Sequence, residues 1–175
     1  NIFYVKKPTV LKGEINKNII ITEENSPYLV DGDVIVKPGT KIQINEGATI
    51  IFKPDATLWV KGQLIAKGTE KKPVLFRPIN NQSSWNSLYF EHASDSCVLQ
   101  NVIIEDGTVN SKYTNLYIEN SKIIIKNKQL FISQEQRLCL VWIHHGKFTF
   151  KNNYLTSKGK GEGMDVNYAK SLVEN

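Results

Sequence analysis

Two glutamates, Glu91 and Glu119, have surroundings that could support catalysis. Each follows a short apolar run centred on a tyrosine, Leu88-Tyr89-Phe90 before Glu91 and Leu116-Tyr117-Ile118 before Glu119. If the two runs lie side by side as strands, their backbones are about 5 Å apart. Two carboxylates at that distance repel each other, which raises the pKa of one, or they share a cation. A separation of about 5 Å also suits a retaining glycoside hydrolase.

The same alignment offers a structural role for this pair. Lys61 and His144 occupy the matching position of neighbouring runs, where their charge would neutralise the glutamates. A polysaccharide-cleaving enzyme, either a lyase or a glycoside hydrolase using Glu91 and Glu119, is therefore the second hypothesis for this chain.

Large aromatic residues occupy the centres of these runs. The middle residues of successive runs are Trp59, Tyr89, Tyr117 and Trp142, followed by Asp165. A middle residue points away from its apolar neighbours in a strand, so these side chains are predicted to form an outward aromatic column. We call this side the first-strand face. The positions two residues further on share it and hold Lys61, Glu91, Glu119, His144 and Asn167.

Three roles fit such a column. Aromatic rings beside hydrogen-bonding groups suit a sugar chain, whose ring faces are apolar and whose hydroxyls need polar partners. A patch of this kind also suits contact with another protein or a second copy. Aromatic residues stack well across strands in any sheet, so the column also fits a plain sheet surface. The leading hypothesis is a non-catalytic binding module for a glycan or a protein partner.

Other chemical motifs are absent from the sequence. His144 and His145 are adjacent, and adjacent strand residues point to opposite faces, so we expect no shared metal ion. No spacing of cysteines and histidines fits zinc. Gly159-Lys160-Gly161 lacks the ending and the following helix of a phosphate loop, and no Gly-x-Ser-x-Gly motif occurs. The sequence predicts neither a metal site nor a cofactor.

The elements that must position these residues are short strands in a repeat. Runs of three to five apolar residues alternate with Gly, Pro, Asn and Asp, and no stretch has convincing helical periodicity. The first strands of the repeat are predicted to begin at Val34, Leu58, Leu88, Leu116, Val141 and Met164. These spacings suit coils of three strands, each paired in parallel with its copy one coil away.

Asparagines are predicted to turn one corner of each coil. Asn101, Asn127, Asn152 and Asn175 each follow the second strand of a copy by two residues. Asparagine tolerates the left-handed conformation that a sharp corner requires. Residues 1–33 are assigned as an N-terminal cap, because a solenoid exposes its core at each end, and residues 34–175 as the coils of one domain.

Composition narrows the class of protein. The chain has 175 residues, 41% of them hydrophobic, and a formal net charge of +5. No apolar run approaches the roughly 20 residues of a membrane-spanning helix. The lysines are spread over the whole chain, whereas nucleic-acid binders concentrate basic residues on one element, so we expect no nucleic-acid partner. Two cysteines, Cys97 and Cys139, are too few for a disulfide framework.

Several stretches resemble a known family. They are SPYLVDGDVIVKPGT (26–40), INEGATIIF (44–52), VKGQLIAKGT (60–69), KPVLF (72–76) with Trp85, and GEGMD (161–165). Together they resemble right-handed parallel β-helix domains of the pectin-lyase-like superfamily, including those that accompany bacterial spore-coat-protein-H-type proteins. The resemblance implies an all-β, right-handed parallel β-helix of five to six coils in an exported bacterial protein, extracellular or on the cell surface. Fold likeness alone does not specify a function.

The ends of the chain carry two further expectations. Asn1-Ile2-Phe3-Tyr4 is neither an initiator methionine nor a signal peptide, and the last copy stops at Asn175 within a repeat, so we expect a piece of a longer protein. An incomplete last coil leaves unpaired backbone groups, which favours a covering segment or a homo-oligomer through that end.

Overall fold

The fold is all-β in the part of the chain that the structure describes. The computed structural model describes residues 7–81, 83–93, 96–112, 116–119, 122–125, 139–157 and 162–174. These residues form seventeen strands and no helix. The strands are β1 (Thr9–Ile15), β2 (Ile19–Ile21), β3 (Tyr28–Val36), β4 (Lys41–Ile44), β5 (Thr49–Phe52), β6 (Thr57–Val60), β7 (Gln63–Lys67), β8 (Val74–Pro78), β9 (Ser87–Glu91), β10 (Cys97–Gln100), β11 (Val102–Glu105), β12 (Thr108–Lys112), β13 (Leu116–Glu119), β14 (Lys122–Ile125), β15 (Cys139–Lys151), β16 (Tyr154–Ser157) and β17 (Glu162–Glu174).

The strands pair in parallel and belong to three sets, which the chain visits in rotation. The first set contains the second half of β3, then β6, β9, β12 and the first halves of β15 and β17. The second contains β2, β4, β7, β10, β13 and the second halves of β15 and β17. The third contains the first half of β3, then β5, β8, β11, β14 and β16.

The parallel pairing reaches back to Thr9. Strand β1 pairs with β3 and β2 pairs with β4, so the described residues of the segment assigned as a cap already continue the parallel pairing. Most strands are short because they end at a corner, whereas β3, β15 and β17 continue from one set to the next. At several corners a glycine adopts positive φ, as at Gly39 (φ 76°) and Gly47 (φ 71°). Left-handed conformations of this kind favour glycine because it has no Cβ.

The core lies on the inward side of all three sets. Buried and partly buried residues alternate along β4, β5, β8, β10 and β11, as expected for strands with one inward and one outward side. The inward side chains form one hydrophobic cluster. Trp85 enters it from a corner, stacks on Phe52 at 3.8 Å between ring centroids, and donates its indole N–H to the Glu105 carbonyl at 2.7 Å.

One predicted first strand, the run at Leu116, is wrongly placed, and both of its predicted pairings are wrong. Leu88 pairs with Val109, and Val109 pairs with Val141, so β12 and not the run at Leu116 continues the first set. Leu116 instead pairs with Cys97 and Phe148 in the second set. The physical reason is that coil length varies: the spacing is 21 residues from Leu88 to Val109 and 32 from Val109 to Val141.

The asparagine corner is confirmed where the structure describes it. Asn101 (φ 48°) and Asn152 (φ 51°) are left-handed and join second-set strands to third-set strands. Asn127 and Asn175 lie outside the described residues. The strand before Asn127 is β14, which pairs with β11 and β16 in the third set, so the prediction that Asn127 follows a second strand is wrong. Cys97 is buried and is not part of a disulfide, and Cys139 begins β15. Within the described residues, no helix has the length and apolar character needed to cross a membrane.

Candidate functional site

The outward row of the first set is the surface that was predicted from the sequence to bind a glycan or a protein partner. Pairing aligns Ile35 with Trp59, Trp59 with Tyr89, Tyr89 with Asn110, Asn110 with Trp142, and Trp142 with Asp165. Five side chains of this row are partly buried, as outward side chains on a sheet usually are: Ile35, Trp59, Tyr89, Asn110 and Trp142. Register therefore places Trp59, Tyr89, Trp142 and Asp165 in one line, as predicted.

Tyr117 is not part of this row, so its predicted place in the aromatic column is wrong. It lies in β13, aligned with Val98 on one side and Thr149 on the other, within the second set. Asn110 takes the position between Tyr89 and Trp142. The column is therefore interrupted by one polar residue, and it contains two aromatic groups rather than a continuous stack.

The first aromatic group is a ring pair. The indole of Trp59 and the phenol of Tyr89 lie 4.4 Å apart between centroids, with their planes tilted by 38°. Beside them, the Lys61 ammonium lies 3.5 Å from the Glu91 carboxylate, and the two side chains are 42% and 26% exposed. Burial raises the pKa of the Tyr89 phenol, and the nearby Glu91 carboxylate acts in the same direction.

The predicted pair of glutamates does not exist. Glu91 aligns with Lys112 in β12, whereas Glu119 aligns with Gln100 and Lys151 in the second set. Glu119 is misplaced for the same reason as Tyr117, because both belong to the run at Leu116, which lies in the second set and not in the first. No shared cation site and no pair of catalytic carboxylates follow from these positions.

The second aromatic group combines Trp142 with a histidine. The rings of Trp142 and His144 stack at 5.2 Å between centroids with an angle of 3° between their planes. Across the next strand pair, Asp165 aligns with Trp142 and Asn167 aligns with His144, as predicted.

His144 and His145 meet, against the expectation from their adjacency. Their Nδ1 atoms lie 2.9 Å apart, and their rings make an edge-on contact at 4.3 Å between centroids. The two side chains do not point to opposite faces, because His145 has a φ of 61° and Gly146 a φ of 105° and the chain leaves the extended conformation there. The bend marks the point where β15 passes from the first set to the second.

The place of Asn110 in the row and the bend at His145 were not predicted, although the sequence carries a local signal for each. The Asp106-Gly107 dipeptide precedes β12, and Asp106 is left-handed with a φ of 53°. Such a dipeptide marks a turn, so a new strand was to be expected directly after it. His145 is likewise followed by a glycine, and histidine is among the residues enriched in the left-handed region.

A separate surface groove lies beside the third set. It has a volume of about 580 Å³ and is lined by Glu23, Ser26, Pro27, Gly47, Thr49, Ile51, Arg77, Pro78 and Ile79. Glu23 forms an ion pair with Lys72 at 2.6 Å, and Arg77 one with Glu105 at 3.6 Å. In the described part of the chain, no three side chains of His, Cys, Asp or Glu converge as metal ligands.

Comparison with known proteins gives one short match. A segment of 69 residues, 39% of this chain, is 35% identical to Protein bark beetle of Drosophila melanogaster. The chain spans about 2% of the length of that protein. No family model matches the chain. No solved structure matches it.

Proposed function

We propose that the chain is a right-handed parallel β-helix that serves as a non-catalytic binding module for an extended carbohydrate chain. The support for the architecture is the rotation of the chain through three parallel sets around one core. The support for binding is the outward row of the first set. The proposal includes the extracellular or cell-surface location expected from the sequence, where polysaccharides are accessible.

The observation that carries this proposal is the Trp59–Tyr89 pair beside Lys61 and Glu91. Two rings 4.4 Å apart give an aromatic platform on the outward side of the strands. A sugar ring has an apolar face that packs on such a platform. The Lys61 ammonium and the Glu91 carboxylate offer a donor and an acceptor for hydroxyl groups at the edge of the same ring.

The row is long enough for several sugar residues. Three strand spacings separate Trp59 from Trp142, which corresponds to about 14 Å along the row. The stacked Trp142 and His144 rings provide a second platform, and Asn110 supplies amide donors and an acceptor between the two. We therefore expect an oligosaccharide to bind more tightly than its monosaccharide units.

The enzyme hypothesis loses its structural basis, because Glu91 and Glu119 are not neighbours. Contact with a protein partner and a plain sheet surface are the alternative roles for the row. Neither alternative role requires the row to bind sugars, so a measurement of sugar affinity distinguishes both of them from the proposed role.

A glycan array followed by calorimetry on the best ligand tests the proposal. Trp59→Ala and Tyr89→Ala should each weaken binding at least about tenfold, corresponding to about 1.4 kcal/mol, because each removes half of the platform. Tyr154→Ala is the matched control, since Tyr154 is 59% exposed but lies in β16 of the third set. It should leave the affinity unchanged.

Three outcomes would contradict the proposal. Equal binding by Trp59→Ala and the unmodified chain would place the sugar elsewhere. Absence of any array signal, with self-association abolished by Trp59→Ala, would make the row a protein contact. Release of shortened glycan during incubation would make the chain an enzyme with a site other than the one considered above.

A further inference from the structure

The bend in β15 brings two imidazoles together in an unusual way. In an extended strand the side chains of adjacent residues point to opposite faces. His145 has a φ of 61° and Gly146 a φ of 105°, so the strand bends there and the side chain of His145 lies beside that of His144. Non-glycine residues adopt this conformation at an energetic cost, and such residues concentrate at ligand sites and other functional positions.

The two rings are held in place by their surroundings. Trp142 stacks on His144 with nearly parallel planes, 5.2 Å between centroids. Pairing with β12 and β17 fixes the backbone of His144 on both sides, where Lys112 and Asn167 are the aligned residues. Both histidines are partly buried, which limits the rotation of their rings.

We infer that His144 and His145 form a two-imidazole site for a divalent transition-metal ion. Imidazole nitrogens bind such ions at about 2.0–2.1 Å, so two of them 2.9 Å apart subtend an angle of about 90° at a shared ion. An angle near 90° is that of neighbouring ligands in square-planar or tetragonal geometry, which Cu²⁺ and Ni²⁺ prefer. A tetrahedral zinc site would require the nitrogens to move apart.

Binding requires both Nδ1 lone pairs to be available to the ion. In the contact at 2.9 Å, one ring donates its Nδ1 proton and the other accepts with its Nδ1 lone pair. For both Nδ1 atoms to bind an ion, that proton must leave Nδ1 of the donor ring, because a ligating imidazole nitrogen carries no proton.

Water fills the rest of the coordination sphere in this proposal. Within the described ranges, no third His, Cys, Asp or Glu side chain joins the pair to form a ligand cluster. Two protein ligands give a modest affinity, and the order of affinity among divalent ions should place Cu²⁺ above Ni²⁺ and Zn²⁺. Cu²⁺ is therefore the probe that the site should retain best.

Titration of the untagged chain with Cu²⁺ tests the inference. The variants are His144→Asn and His145→Asn, because asparagine tolerates the left-handed conformation at position 145. His92→Asn is the matched control: His92 is the third histidine of the chain and is also left-handed, with a φ of 47°. We expect one site with two nitrogen ligands by electron paramagnetic resonance. His144→Asn and His145→Asn should each lower its affinity about tenfold or more, while His92→Asn should not.

A second measurement uses the unmodified chain, so it does not depend on how a variant folds. Substoichiometric Cu²⁺ should broaden the imidazole NMR signals of His144 and His145 before that of His92. Equal broadening of all three signals would overturn the inference, because it indicates binding to histidines in general. An electron paramagnetic resonance spectrum that shows a single nitrogen ligand would also overturn the inference. So would an equal loss of Cu²⁺ affinity in the variants of His144, His145 and His92.

Discussion

The rings of Trp59 and Tyr89 lie 4.4 Å apart on neighbouring parallel strands, tilted by 38°. Aromatic pairs at this distance contribute about 0.5–1.5 kcal/mol beyond the area that they bury. A double-mutant cycle with Trp59→Ala and Tyr89→Ala should therefore give a coupling free energy in that range. Urea unfolding followed by circular dichroism measures the free energy of unfolding for each variant.

The control for this cycle pairs Trp59 with Tyr154. The two residues lie in different strand sets, so their effects on the free energy of unfolding should add within about 0.5 kcal/mol. Equal coupling in the two cycles would contradict the ring contact, because it would point to a general effect on the unfolded chain.

Tyr89 should make the stability of the chain fall in alkaline solution. Burial, followed by the charge of Glu91, raises the pKa of its phenol above the ordinary value. Because the pKa is higher in the folded state, the related stability is fully present below the unfolded-state pKa. It is lost as the pH rises through the folded-state pKa. Tyr89→Phe keeps the ring and should remove this part of the pH dependence.

Unfolding midpoints in urea across the alkaline range, measured for the unmodified chain and Tyr89→Phe, test this expectation. Glu91→Gln should lower the phenol pKa only in part, because burial is the larger cause. Parallel pH profiles for the unmodified chain and Tyr89→Phe would show that the titration of Tyr89 is not linked to folding.

Strand content could be predicted from the sequence because each strand carries its own signal. The apolar runs at Ile42 and Val74, each followed by turn residues, coincide with β4 and β8. Parallel pairing followed from the repeat of such runs, and the left-handed corner at Asn101 followed from its residue type. These features depend on local chemistry that a single stretch of sequence contains.

Register could not be predicted in the same way, and the candidate site depended on it. Leu116-Tyr117-Ile118 is more apolar than Thr108-Val109-Asn110, yet the weaker run pairs with β9. Longer loops close at little extra entropic cost, so coil length is free to vary and spacing does not determine which strands are neighbours. The Trp59–Tyr89 contact was predicted because the predicted alignment of β6 with β9 is right. The predicted Glu91–Glu119 pair is wrong because it required Leu116–Glu119 to pair with β9, whereas that strand pairs with β10.

Gly107 should not tolerate a side chain. A Cβ built at this position meets the indole ring of Trp85, which is fully buried and stacked on Phe52. Overfilling a packed core costs about 1–3 kcal/mol, so Gly107→Ala should lower the free energy of unfolding by that amount. Gly39→Asn is the control for a side chain without overlap, because its added Cβ meets no atom within 4 Å; its loss comes from the positive φ of 76° alone and should be smaller, since asparagine tolerates that region. Equal losses in urea unfolding would contradict the packing argument.

Asn101 stabilises its corner in two ways that can be separated. Its φ of 48° is left-handed, and its side-chain amide donates a hydrogen bond to the Gly68 carbonyl in the preceding coil at 3.1 Å. Asn101→Ala removes the hydrogen bond and strains the backbone, which should lower the free energy of unfolding by about 2–3 kcal/mol. Asn101→Gly removes the hydrogen bond but accepts the conformation, so its loss should be about 1 kcal/mol smaller.

The two variants should therefore differ in urea unfolding, with alanine the less stable. A similar amide-to-carbonyl contact occurs two coils later, where Asn153, the residue after the left-handed Asn152, donates to the Ile118 carbonyl at 2.9 Å. Asn153→Ala should lose stability without added backbone strain, because Asn153 is not among the residues with positive φ. If Asn101→Gly is as unstable as Asn101→Ala, the backbone conformation contributes nothing. The corner would then depend on the bond between coils.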